Sequence, residues 1–179
     1  MSIRLLQFCV LAGAAGAVGC GGAQPVQDRD QLAKIKRVAV LRFSAAPEAH
    51  GADPGDAVAS ALTERIQRDW SGVKVVERGE IKRLLEQQKL SDVGIAEDVR
   101  SLGKALGVDA IILGDVFQYG RDRWPNTLYD VGAVMRVVDI TNGRVIYTKS
   151  AHTQRSDSFA PCLEDVTGEM LRPLVAALR

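Results

Sequence analysis

The sequence predicts a single α/β domain, a mixed sheet with helices packed on it, in the order β-α-β-α-α-β-β-β-α. Three observations carry this. The first half alternates β-branched apolar runs with apolar stripes at helical spacing. Ala110–Val116 (AIILGDV) is nearly all apolar, as in a strand covered on both faces. Leu128–Ile140 and Arg144–Ala151 are alternating runs joined at Thr141-Asn142-Gly143, and Asn-Gly between such runs is a strong hairpin signal because both turn positions favour positive φ. Strands that first alternate with helices and then run as a meander closed by a helix make a mixed sheet in one domain.

The elements follow in order. Arg37–Phe43 (RVAVLRF) reads as a buried strand. Ser44–Asp56 holds Pro47, Gly51, Pro54 and Gly55 and reads as a loop. Val58, Leu62, Ile66 and Trp70 recur every four residues on one helical stripe, which Ser71-Gly72 ends. Val73–Val76 is a short strand, and Glu80–Lys89 a helix with Ile81, Leu84 and Leu85 inward. Glu97–Leu106 is a third helix with Val99, Leu102, Gly103 and Leu106 on one face, and Gly107 stands at its stop position. After the Ala110–Val116 strand, Gly120–Asn126 breaks the pattern. In the hairpin, Val131, Ala133, Met135 and Val137 share a face. The last helix runs from about Cys162 to Leu178, with Val166, Met170, Leu174 and Leu178 aligned.

Arg4 precedes a mostly apolar run, Leu5–Val18, followed by small residues and Cys20. That is the pattern of a secretory signal, and its 14 residues fall short of the ~20 that span a bilayer as a helix. Ala17-Val18-Gly19-Cys20 resembles the lipobox of bacterial lipoproteins, with Ala17 where that motif has Leu. The resemblance implies cleavage after residue 19 and acylation of Cys20. Gly21 follows the cysteine in place of a retention Asp, which under the enterobacterial sorting rule implies the outer membrane. The expected organisation is residues 1–19 as signal peptide, 20–35 as lipidated cysteine and polar tether, and 36–179 as the folded domain. Residues Gly21–Lys34, fully extended, reach roughly 45–50 Å.

Charge excludes some partners. The chain has 23 basic and 22 acidic residues, and loss of Arg4 with the signal leaves 22 of each. No basic surplus points to nucleic acid. Cys9 leaves with the signal and Cys20 takes lipid, so Cys162 stands alone, without a disulfide partner. On a helix it reads as a small buried apolar residue.

Arg37–Phe43, Lys74–Leu90 (KVVERGEIKRLLEQQKL), Leu102–Val116 (LGKALGVDAIILGDV) and Met135–Val145 (MRVVDITNGRV) together resemble the curli secretion-channel lipoproteins, the CsgG family. The most specific words are Val76-Glu77-Arg78 followed by Ile81, Leu84-Leu85 and Gln87-Gln88. The resemblance covers residues 36–178. It implies a periplasmic domain of the anticodon-binding or TolB N-terminal type, shared with lipoproteins that activate penicillin-binding proteins. That ancestry says nothing about RNA. The family's channel builds a barrel from two membrane hairpins per subunit, and each needs about 20 residues. Gln118–Thr127 offers ten, with Arg121, Asp122, Arg123 and Pro125, and Gln154–Phe159 offers six. Neither is expected to span, so the pore is not carried over.

Glu77 and Arg78 read as a helix start, with Arg78 pairing a neighbour, or as a contact between subunits. Gly103, Gly107 and Gly114 lie outside the strand-to-helix spacing of phosphate loops and read as packing and capping. Asp109 and Asp139 sit where Asp makes local hydrogen bonds, and Asp115 is expected to bond a backbone group at the sheet edge. No constellation with His50, His152 or Cys162 suggests catalysis, a metal or a cofactor. Tyr119, Trp124 and Tyr129 surround one loop at the place of the missing membrane hairpin. As aromatic residues with polar tips they are candidates to contact a partner or lipid headgroups. Alternatively, Trp124 folds back on the sheet edge. The expected role is a lipid-anchored, non-catalytic binding or assembly module at the periplasmic face of the outer membrane. Its expected partners are envelope or secreted proteins, or copies of itself. A curli-type channel component and an activator of penicillin-binding proteins are the alternatives.

Overall fold

The computed structural model describes residues 28–88, 99–122 and 127–178. Eleven elements follow one another: α1 (Arg29–Leu32), β1 (Arg37–Val40), β2 (Ser44–Ala45), α2 (Pro54–Asp69), β3 (Lys74–Val75), α3 (Arg78–Gln88), α4 (Val99–Leu106), β4 (Ala110–Asp122), β5 (Leu128–Asp139), β6 (Val145–Arg155) and α5 (Phe159–Ala177). The sheet runs β3-β1-β4-β5-β6, with β2 joining β4 beyond the end of β1. β1 is parallel to β3 and β4, and β4, β5 and β6 form an antiparallel meander. The expected α/β mixed sheet is what forms.

Side-chain alternation sends each strand's residues to two cores. On one face Val38, Val40, Ile112, Met135 and Val137 meet Leu62 and Ile66 of α2 and Val166, Met170 and Leu174 of α5. On the other, Ala39, Leu41, Ile111 and Val138 meet Ile81 and Leu85 of α3 and Leu102 and Leu106 of α4. The helix starts have local causes. Asp53 takes a left-handed conformation (φ 55°) and its carboxylate accepts from the Asp56 N–H, while Pro54 occupies the first helical turn, where a missing N–H costs nothing. Gly107 stops α4 with φ 62°.

Four expectations are corrected. The second half of the presumed tether is folded: Asp28 caps α1 by accepting from Gln31 N–H, its own N–H donates to Ile146 O at 3.0 Å, and Leu32 is 1% exposed. Apolar Leu32 and Ile35 supply the burial that holds this stretch. The segment Ser44–Asp56 is not all loop, since Ser44 and Ala45 pair with Asp115 and Val116. The third strand does not stop at Val116: β4 continues through Gly120, Arg121 and Asp122, which pair with Asp130, Tyr129 and Leu128. In the β5–β6 turn only Gly143 has positive φ (73°) among the described residues, not both Asn142 and Gly143. Asp139 explains this. Its carboxylate accepts from Thr141 N–H and Asn142 Nδ2, and Asp139 N–H donates to Arg144 O, so the loop holds four residues with glycine last.

Candidate interaction surface

Past Val116 the meander carries the residues that could meet a partner. The β4–β5 register shifts between Val116 and Gln118, leaving Phe117 as the extra residue of a bulge. Phe117 therefore stands on the face away from α5, 41% exposed. Its ring lies on Gly132, where a Cβ would come within 2.4 Å of it. Beside it His152 Nε2 is 2.6 Å from Asp130 Oδ1, and Gln154 Nε2 donates to Asp130 Oδ2 at 3.1 Å. The second core reaches only to Leu113 on this face. Val134, Thr148 and Ser150 extend the patch as partly or fully exposed side chains.

The residues singled out from sequence separate. Cys20, the segment 1–19 expected to be a signal peptide, and Trp124 lie outside the described residues. Tyr119 is only 7% exposed and stacks on Phe159, with centroids 4.4 Å apart. Gly51 also lies against the ring, where a Cβ would stand 3.0 Å from Cε1. Tyr119 thus serves the core and leaves little surface for a partner. Burial pushes its phenol pKa up. Tyr129 is half-buried and meets the edge of Phe159 at 4.9 Å. Phe117, Asp130, His152 and Gln154 were missed. Phe117 had a signal in its place on an apolar run beside a breaker, but the other three come together only by strand register.

The remaining candidates are structural. Asp109 Oδ2 accepts from the N–H of Lys36 (2.7 Å) and Arg37 (2.9 Å), a contact across 73 residues rather than a local one. Asp115 does not bond backbone as expected; it pairs with Arg136 Nη1 at 2.7 Å across β4 and β5. Arg78 does find neighbours: it pairs with Asp56 and donates to Ser60 Oγ at 3.0 Å, joining α3 to α2. Between them opens a cleft of about 410 Å³ floored by Val40, Ile81 and Leu85. Gly103 sits where a Cβ would be 2.3 Å from Ile140 Cδ1, and Gly114 where it would be 1.9 Å from Val134 O, so both serve close packing. Cys162 is buried, with Sγ 3.3 Å from Tyr129 O, and burial raises its thiol pKa. A thiol shifted that way is a poor nucleophile at neutral pH. Among the described residues no three His, Cys, Asp or Glu side chains converge as a metal site. No described helix is long and apolar enough to cross a membrane.

One mixed sheet between two helical layers makes this a three-layer α/β domain. The chain belongs to the CsgG family: residues 23–123 match the model of the curli production assembly/transport component CsgG. No curated protein matches it in sequence. Among solved structures it is similar to lipoprotein GNA1162 from Neisseria meningitidis, at 16% identity and TM-score 0.62 over 78% of this chain and 98% of that one. The PelC dodecamer from Paraburkholderia phytofirmans follows at 14% and 0.57, over 78% and 86%. The LpoB C-terminal domain from Escherichia coli aligns at 9% and 0.52, over 71% and 95%. At these identities the likeness is one of fold.

Proposed function

We propose that this chain is a lipid-anchored, non-catalytic assembly module of the cell envelope. Cys20 is acylated and holds the domain at the periplasmic face of the outer membrane. The module works in export or envelope construction by binding secreted or envelope proteins, or copies of itself. The observation that carries the reading is the open half of the β4–β6 face, where a bulge and a glycine together mount Phe117 beside Asp130, His152 and Gln154. Exposing an aromatic ring there removes apolar area from the core, which a protein–protein contact would recover. The PelC relative is a dodecamer, so a closed ring is one form in which copies would meet. Trp124, which falls between β4 and β5 in the sequence, and Tyr129 are the second proposed contact, with Tyr119 and Tyr129 both packed on Phe159.

The two other readings are weaker. An activator of penicillin-binding proteins must reach through the cell wall. With Asp28 docked on β6, only Cys20–Gln27 is left as tether, roughly 26–28 Å at full stretch. A channel needs strands that leave the domain, whereas Tyr119 and Val131, past Val116, sit in the core.

Palmitate labelling of wild type and Cys20→Ser tests the anchor, with incorporation expected only in wild type. Crosslinking in intact cells, with and without Phe117→Ser and Trp124→Ala, tests the surfaces. Identical crosslinked species in all three would discard both contacts.

A further inference from the structure

Basic side chains collect at one end of the sheet. Lys36 leads into β1, Lys74 opens β3, Lys104 lies in the last turn of α4 and Arg144 follows the β5–β6 turn, all exposed. Register puts them at a common end: Arg37 pairs with Lys74, Val38 with Ala110, Ala110 with Asp139, and Val138 with Val145. Arg100 reaches the same place from α4, donating to Thr141 O at 3.2 Å with its stem against Gly143. None of these five cations has a carboxylate within 4.0 Å among the described residues. Of the acids at this end, Asp109 is turned to Lys36 and Arg37 N–H, buried Asp139 to its own turn, and Glu80 to the Arg37 guanidinium at 3.3 Å. On α1, Asp28 caps the helix and Asp30 stands beside Arg29.

At this end, between α4 and the sheet, lies a cleft of about 680 Å³. It is floored by Leu113, Val138 and Val145 and rimmed by Arg100, Lys104 and Arg136. Asp115 neutralises Arg136, but Arg100 and Lys104 remain. Val145, at the mouth, is 42% exposed. An apolar floor under a cationic rim suits an amphiphile with an anionic head. The chain's course adds an independent argument. Asp28 N–H bonds Ile146 O, so the polypeptide coming from Cys20 arrives beside Val145. The opposite end of the 11-residue β6 is roughly 33 Å away.

We propose that this basic end, centred on the cleft beside Val145, docks on an anionic phospholipid surface. The orientation rests on the anchored reading; the binding itself does not need the acyl chain.

The test uses the mature chain from residue 20 with Cys20→Ser, sedimented with vesicles of phosphatidylglycerol or of phosphatidylcholine. Binding to the first and not the second is expected. Arg100→Gln with Lys104→Gln should weaken it roughly 30-fold, while Arg83→Gln with Arg172→Gln, exposed elsewhere, should leave it unchanged. Equal binding to both lipids, no binding to phosphatidylglycerol, or equal loss in both double variants overturns the proposal. Capture of polyglutamate without vesicle binding would reassign the cleft to an acidic polypeptide and overturn it too. If phosphatidylglycerol binding holds while palmitate labelling of wild type fails, the anchored reading falls and this one stands.

Discussion

Tyr119 and Phe159 lie face to face, centroids 4.4 Å apart and planes 10° from parallel, and so tie the far end of β4 to the first turn of α5. Tyr129 closes the group by meeting Phe159 edge-on. The far half of the β4–β5 ladder is therefore part of the core rather than a free arm.

Tyr119→Ala should destabilise the domain by about 3–5 kcal/mol, the range for truncating a buried aromatic. Urea titration checks this. A fully stable variant that lost a crosslinked partner would return Tyr119 to the surface role expected from sequence.

Gly114→Ala should be among the most damaging single methyl additions. Its Cβ would lie 1.9 Å from Val134 O and 2.6 Å from the Phe43 ring. One of these is backbone in the middle of a ladder and cannot step aside, so a loss of about 3 kcal/mol or more is expected. Gly79→Ala, with open space around it, should cost little. Thermal melts of the two variants make the comparison.

Asp109→Ala removes one carboxylate oxygen that receives two N–H groups at the entry to β1. Loss of a charged acceptor serving two donors should cost about 1.5–3 kcal/mol. Because those donors hold β1 beside β4, amide exchange should rise at Lys36 and Arg37 before the hairpin is affected.

Alkaline pH should weaken the fold. Tyr147 donates to Met170 O at 2.6 Å, and burial pushes its phenol pKa up to about 12. A phenol that keeps its proton when folded and loses it when unfolded contributes stability that is full below about pH 10, falls as pH rises, and levels off near 12. Tyr119 and Cys162, both raised, act in the same direction, with the thiol starting near its ordinary 9.0. Tyr147→Phe should flatten the fall between about pH 10 and 12 in denaturant titrations. An unchanged slope would remove Tyr147 from this account.

The α/β class, the main helices and their inward stripes, and the shared face Val131-Ala133-Met135-Val137 of β5 were legible because period-four and period-two apolar patterns record burial directly. The pairing of Asp109 with Lys36 and Arg37 was not, because a contact across 73 residues leaves no local pattern. Nor was the docking of Leu32, since a short polar stretch with one leucine looks like tether until the space it fills is known.

Taken alone, the amino-acid order determined the α/β class, the main strands and helices and which family they resemble, but not α1, β2 or the far half of β4. The fate of Phe117 and Tyr119 was decided only in three dimensions. Strict alternation would put Tyr119 on the same side as Phe117; the bulge slips the register by one, so Phe117 faces out and Tyr119 turns into the core. Where a bulge falls depends on both strands and on what packs above them, here Gly132 beneath one ring and Phe159 against the other. No single segment carries that information.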